Sequence, residues 1–275
     1  MKKILLTALI ALLGIGCVKP NDDTPTPQPE ESGKRYVKAI EFCGLNPETN
    51  ELTSYEEFIE FDYDSKNRIV EIRGVEYDGT KVADLYTKIN FNYNDDNNTL
   101  NIKANFDGET IDIDCELNER GAVETATYNM EDMTDITENF VYNDRGELTT
   151  YSMVYSGVIL ISLEYEWKDG NIVRISTPYE DEEYNSYAEF TYTTEENPYN
   201  VDLFYSYHSV MPLLCECILI HDGLLGNTNR SLLASYKECY YDEVYEECIS
   251  HKFNSRGLVD YSMIDETDCM RYILL

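Results

Sequence analysis

The run Phe140-Val-Tyr-Asn-Asp-Arg-Gly-Glu-Leu-Thr149 constrains this chain more than any other feature. Phe140 and Tyr142 stand two apart, so in a strand they share a face. Asn143 to Gly146 then spell a tight turn, because Asn and Asp side chains bond nearby backbone groups. Gly146 supplies the positive φ of a type I turn with a G1 bulge. The same pattern recurs at Phe61-Asp-Tyr63-Asp64-Ser-Lys-Asn67-Arg68-Ile69, at Phe91-Asn-Tyr93-Asn94 and at Cys115-Glu-Leu117-Asn118-Glu-Arg120-Gly121-Ala-Val123. Tyr165-Glu-Trp167-Lys-Asp169-Gly170, Phe190-Thr-Tyr192 and His251-Lys-Phe253-Asn254-Ser-Arg256-Gly257-Leu258 continue it. From Phe61 to Phe190 the copies begin 24 to 30 residues apart, by subtraction of those numbers. That period suits one hairpin and its link, with strands of about 5–10 residues. The fold class that follows is all-β: an antiparallel β-meander of hairpin repeats forming a curved sheet or a barrel-like structure.

After each turn, apolar residues recur three apart: Ile69/Ile72, Val123/Ala126, Leu148/Tyr151, Ile172/Ile175 and Leu258/Tyr261. Strict alternation forbids that spacing, and a bulge just after the turn explains it by shifting the facing by one residue. The 24 tyrosines against one tryptophan fit the same picture, since aromatics fill cross-strand contacts. Residues 209–233 break the pattern, with the apolar run Val210 to Ile220, Leu224-Leu-Gly226 and Leu232-Leu-Ala234 but no Asn/Gly turns. They read as a short helical insertion packed on the sheet or plugging one end of it, with Pro212 suited to a first helical turn.

The N-terminus carries an address. Lys2 and Lys3 precede a ten-residue apolar core, Ile4 to Leu13, which is short for a membrane span. Gly14-Ile15-Gly16-Cys17 resembles a bacterial lipobox, departing at Gly14 where Leu is usual. Residues 1–16 are therefore expected to be a lipoprotein signal peptide. Cys17 is the expected lipidation site, and residues 17–34 are a flexible tether set by Pro25, Pro27 and Pro29. Residues 35–275 make a single repetitive β domain. Lys19 with Asp22-Asp23 resembles an acidic surface-export signal, which favours the cell surface over the periplasmic face of the outer membrane.

Charge and chemistry narrow the function classes. The formal net charge is −32, and loss of Lys2 and Lys3 with the leader takes it to −34. Such an acidic surface disfavours nucleic acid, which needs basic groups against phosphate. The three histidines, His208, His221 and His251, form no metal or triad motif, Cys215-Glu-Cys217 lacks zinc-site spacing, and no Gly-rich phosphate loop is present. No cofactor, metal or catalytic residue is therefore assigned. Cys239 and Cys248 could form a disulfide across the hairpin near Asp242 if its loop holds four residues. The outward positions Glu60/Asp62, Lys88/Asn90/Asn92 and Asp112/Asp114/Glu116 are too polar for a lipid-facing porin wall.

The chain from Tyr36 to Leu275 resembles Bacteroidetes secreted lipoproteins of unknown function, described as having a porin-like fold with tyrosine-aspartate-like repeats. The likeness rests on the Tyr-Asn/Asp-x-x-Gly turns, the apolar insertion with Gly226 and the run Ser231-Leu-Leu-Ala-Ser235. It implies a curved, barrel-like antiparallel sheet and supplies no activity. The expected function is a lipid-anchored, non-catalytic envelope protein that binds a glycan, a peptide or an envelope protein, or serves as structure. The alternatives are a carboxylate-dependent, glycosidase-like hydrolase, which needs two carboxyls about 5–10 Å apart in a cleft, and a periplasmic carrier, which needs an apolar cavity.

Overall fold

The computed structural model describes residues 35–46, 48–49, 51–106, 109–130, 133–178, 186–199, 223–240, 243–263 and 268–275. Among the described residues seventeen strands follow one another in chain order: β1 (Val37–Leu45), β2 (Leu52–Tyr63), β3 (Ile69–Asp78), β4 (Lys81–Asn94), β5 (Thr99–Phe106) and β6 (Glu109–Leu117). They continue as β7 (Val123–Met130), β8 (Met133–Tyr142), β9 (Leu148–Tyr155), β10 (Val158–Lys168), β11 (Asn171–Ser176) and β12 (Tyr187–Glu196). The last are β13 (Ser231–Tyr240), β14 (Glu243–Cys248), β15 (Ser250–Phe253), β16 (Val259–Met263) and β17 (Asp268–Leu274). Each strand from β1 to β13 pairs antiparallel with the next, β15 pairs with β16 and β16 with β17. β17 returns to β1, with Ile40 opposite Tyr272, so the meander is a nearly closed barrel. β14 and β15 are one run broken at Ile249, which leaves sixteen positions, an even number that an antiparallel ring requires.

One face of nearly every strand is apolar and buried, and it points inward. Cross-strand pairs Ile72/Ile89, Ile102/Ile113, Tyr128/Ile136, Phe140/Tyr151 and Tyr165/Ile175 belong to a single core cluster. Each such aliphatic burial contributes about 1.5–3 kcal/mol. The other face carries cross-strand charge: Arg73 contacts Glu60, Asp62 and Glu71, Lys88 meets Glu71 at 2.8 Å, and Lys103 meets Asp112 at 3.3 Å. The outward positions expected from sequence are therefore the wetted wall.

The turn chemistry repeats atom for atom. In Asp64–Arg68, Asn118–Ala122, Asn143–Glu147 and Asn254–Leu258, the first residue's N–H donates to the fifth residue's carbonyl. In all four its side-chain oxygen accepts from the N–H groups of the third and fifth residues. The fourth position, Asn67, Gly121, Gly146 or Gly257, has φ between 61° and 84°. The bulge expected after the turn is present, with Val70, Glu124, Thr149, Val173 and Asp260 as the extra residues. The Asn94–Thr99 turn has no bulge, and its flanks alternate strictly, Tyr93 opposite Leu100 and Phe91 opposite Ile102.

Three expectations need correction. In β16 the inward pair is Val259 and Ser262, one residue later than Leu258/Tyr261, because the bulge falls at Asp260. Asp169 and Gly170 both have positive φ, so that link is a two-residue type I′ turn. Of the expected helical insertion at 209–233, residues 209–222 lie outside the described residues. Residues 223–226 form a turn closed by the Gly226 N–H to the Gly223 carbonyl, and 231–233 already belong to β13, so the described part is turn and strand.

Candidate functional site

The barrel has two unlike ends. The turns at Asp64–Arg68, Asn94–Thr99, Asn118–Ala122, Asn143–Glu147, Asp169–Gly170 and Asn254–Leu258 gather at one of them, together with the start of β1 and the end of β17. The segment 223–230 closes this end by sealing onto the turns through backbone bonds. The Val123 N–H donates to the Leu224 carbonyl, the Asn227 N–H to the Gly146 carbonyl and the Arg230 N–H to the Gly170 carbonyl. Leu224 and Leu225 reach the core, and Asn229 accepts from the Ile172 N–H at 2.8 Å. Gly226, at φ 81°, lies so close to the Gly146 carbonyl and the Tyr142 ring that a Cβ there has no room. The chain enters beside this plug: the Arg35 N–H donates to the Pro198 carbonyl at 2.6 Å, and Tyr199 stacks on Tyr272.

The repeated aromatic has a defined task at this end. Neighbouring hairpins separate before the turn, and at four of these gaps one residue reaches across to a carbonyl left outside the ladder. Tyr63 donates to the Val37 carbonyl, Tyr142 to Val123, Trp167 to Leu148 and Tyr192 to Ile172, all at 2.5–2.7 Å. In each case the donor lies three residues past the last ladder pair and the acceptor two before it: Ala39/Glu60, Thr125/Asn139, Thr150/Glu164 and Arg174/Glu189. A buried carbonyl needs such a donor. Tyr93 occupies the same place beyond Glu71/Asn90, yet its buried hydroxyl has no hydrogen-bond partner; the Arg68 guanidinium lies 4.0 Å over its ring instead. Burial raises the Tyr93 pKa above the ordinary phenol range and keeps the group neutral.

Buried polar groups are few among the described residues, and several of them are engaged. Glu138 is fully buried, and its Oε1 accepts from the Tyr128 and Tyr151 hydroxyls at 2.9 and 3.2 Å. Cys115 is buried, and that burial, with Glu138 nearby, raises its pKa and makes it a poor nucleophile. Glu41 pairs with Arg271 across the closing β1–β17 ladder. Beside it, Cys43 and Cys269 are register partners joined by a disulfide, with Cα atoms 5.2 Å apart. His251 bridges the break between β13 and β15, its ring nitrogens lying 2.7 Å from the Leu233 carbonyl and 2.8 Å from the Ser262 hydroxyl. Burial lowers its pKa despite the raising effect of that carbonyl.

The second end is a crown of hairpins that outrun the core. Thr53 to Glu57, Lys81 to Leu85, Val158 to Leu160 and Val244 to Glu246 are exposed without alternation. Ile159 and Val158 are 62% and 60% exposed, the two highest values among the described large apolar side chains inside strands. Solvent reaches both faces of these tips, so this end offers surface for contact.

Of the residues singled out from sequence, Cys17 lies outside the described residues. Cys239 stands opposite Val244 and Cys248 opposite Ser235, because only two residues separate the paired Tyr240 and Glu243. The two cysteines are thus four ladder positions apart, about 13 Å at strand rise, which is outside disulfide reach. The four-residue loop their pairing required is not the loop that forms. Glu138 was legible in Ile136-Thr-Glu138-Asn-Phe140, where it shares the apolar face. Among the described residues no group of three or more His, Cys, Asp or Glu side chains is placed to hold a metal ion.

No protein-family model matches the chain, and no curated protein matches it. The fold is similar to that of a porin-like protein from Bacteroides uniformis solved by crystallography, at 15% identity and a TM-score of 0.64. That match covers 87% of this chain and the whole of the other. A porin-like protein from Bacteroides vulgatus, at 10% identity, aligns over 86% of this chain and 98% of its own with a TM-score of 0.34. The first likeness shows that the two chains share a barrel fold.

Proposed function

We propose that this protein is a lipid-anchored, non-catalytic protein of the bacterial cell envelope, a water-soluble barrel held to the outer membrane through Cys17. The observation that carries this reading is the polarity of the wall. A membrane-spanning barrel needs an apolar outer band about 25 Å tall and a polar lumen. Here Glu60, Asp62, Glu71, Arg73, Lys103 and Asp112 line the outside, and Ile72, Ile89, Ile102 and Ile113 fill the inside. Such a wall belongs in water, so membrane attachment falls to the N-terminal lipid. The chain enters at the plugged end, so the tether leaves from the end opposite the hairpin crown. Display at the cell surface is favoured over the periplasmic face by the acidic residues after Cys17.

Neither alternative chemistry finds a matching feature among the described groups. A carrier needs a contiguous apolar cavity, whereas side chains of the core cluster occupy the interior. The fully buried carboxylate, Glu138, is held by two tyrosines rather than facing a cleft. The test is a Cys17→Ala variant followed by membrane fractionation and mass analysis of the N-terminus. Loss of acyl mass and release into the soluble fraction support the anchor. Retention in the membrane after an alkaline wash would overturn it, because the barrel itself would then be the membrane-binding part. Protease treatment of intact cells separates surface from periplasmic facing.

A further inference from the structure

The β9/β10 hairpin differs from the other described tips of the crown in chemistry. Residues 149–163 carry no charged side chain, in a chain where 27% of residues are charged. The other tips are guarded: Glu56 and Glu57 on β2, Glu76, Asp78, Lys81 and Asp84 on β3 and β4, and Glu246 on β14. Charges at sheet edges are a standard protection against pairing with another chain. This hairpin lacks them and has an edge to protect. β10 pairs with β9 from Val158 to Glu164, but its ladder to β11 ends at Glu164 opposite Ser176. Among the described residues, Val158 to Leu163 are therefore paired on one side only, and their other edge has no described strand against it, beside exposed aliphatic side chains. Six residues is an ordinary strand length, about 5–6. A bulge at Leu160, between the pairs of Ile159 and Ile161, turns that side chain outward as well.

We infer that the free edge of β10, Val158–Leu163, is a strand-addition site for an extended segment of another polypeptide with apolar residues at alternate positions and basic flanks. Main-chain hydrogen bonds supply affinity in this mode, and side-chain pockets on the pleat supply selection. The basic flanks follow from charge. Glu164 and Asp135 are exposed beside the hairpin, the described crown is acidic, and the mature chain carries −34. A second copy of this chain would bring the same acidic charge against itself, which net repulsion disfavours. The inference does not require the lipid anchor, and the anchor does not require it.

The test uses the full chain purified in mild detergent and a synthetic peptide of alternating valine and threonine flanked by lysines. Binding is read by fluorescence anisotropy, and its place by hydrogen exchange. The expected result is slowed exchange confined to residues 158–163 and about tenfold weaker binding when the lysines become glutamates. Ile159→Lys puts a guarding charge on an exposed position, and Leu160→Pro removes a donor at a bulge, where proline is tolerated; each is expected to weaken binding at least about tenfold. Alternate N-methylation of the peptide abolishes binding. Protection elsewhere on the barrel, equal binding by the N-methylated peptide, or no binding at millimolar peptide would overturn the proposal. So would concentration-dependent self-association that Ile159→Lys abolishes, which would make a second copy the occupant.

Discussion

The reach of the repeated aromatic to a stranded carbonyl leads to a differential prediction. Tyr142→Phe keeps the ring and removes only the hydroxyl that donates to the Val123 carbonyl at 2.7 Å. An ordinary hydrogen bond contributes about 0.5–1.5 kcal/mol net, and a buried acceptor left without a donor costs about 1–3 kcal/mol. A loss of about 2 kcal/mol is therefore expected. At about 2–4 °C per kcal/mol for a domain near this size, Tm falls by roughly 4–8 °C. Tyr93→Phe removes a hydroxyl in the equivalent place that is buried without a hydrogen-bond partner. Its deletion costs nothing and raises stability by up to about 1 kcal/mol, because an unpaired polar group no longer has to be desolvated. Tyr63→Phe and Tyr192→Phe should track Tyr142→Phe, since each removes one hydroxyl hydrogen donated to a backbone carbonyl. The assay is urea unfolding of each variant, with unchanged m-values required so that the midpoint reports stability. If Tyr93→Phe is destabilised as much as Tyr142→Phe, ring packing rather than the hydroxyl holds this end together, and the reasoning fails.

Three further outcomes follow from the buried polar groups. Glu138→Ala strands the Tyr128 and Tyr151 hydroxyls in the core and is expected to cost about 2–4 kcal/mol by chemical denaturation, whereas Glu138→Gln, which keeps an acceptor oxygen, loses less. The lowered pKa of His251 means that between its folded value and about 6.5 the unfolded chain binds a proton that the folded chain refuses. Stability is accordingly full above about pH 6.5 and falls as the pH drops through that window, and a His251→Gln variant should flatten the slope. Reducing the Cys43–Cys269 disulfide, which spans a sequence separation of 226, should cost up to about 5 kcal/mol in the loop-entropy account; a Cys43→Ser/Cys269→Ser protein as stable as the oxidised one would show that the β1–β17 ladder closes the barrel unaided.

The local part of this fold was legible because its signals are local. Asn143-Asp-Arg-Gly146 fixes a turn by its own hydrogen bonds, and the spacing of Leu148 and Tyr151 announces the bulge at Thr149. The polar outer wall could be read from Lys88/Asn90/Asn92 set between Ile89 and Phe91. What failed to show depends on distant partners. The pairing of Cys43 with Cys269 follows only once the first and last strands are known to meet. The part of the 223–233 stretch that plugs the turns looked helical because its leucines are dense, yet its backbone bonds go to Gly146 and Gly170, far away in sequence. The Cys239–Cys248 expectation hung on the length of one loop, and two residues instead of four moved both sulfurs out of reach.

The aromatic bridges also explain why the repeat is longer than a turn and two strands strictly require. Each bulge after a turn swings its strand away from the next hairpin, and the ladder between them stops short. Splaying of this kind widens the turn end and leaves a carbonyl in every gap. The aromatic that closes one gap sits in the next hairpin, 19 residues on from its acceptor for Tyr142 and Trp167 and 20 for Tyr192. Neighbouring repeats are thus coupled through side chain to backbone as well as through the ladder. Where the bulge is missing, at Asn94–Thr99, the following strand pair offers Leu117 at the corresponding position, a side chain with nothing to donate. Bulge, gap and donor go together at Tyr142, Trp167 and Tyr192, whereas after the bulge at Val70 the Tyr93 ring fills the place without donating, and after the bulge at Asp260 the place three beyond the last rung is Leu274 and the Val259 carbonyl is met by Tyr199 instead.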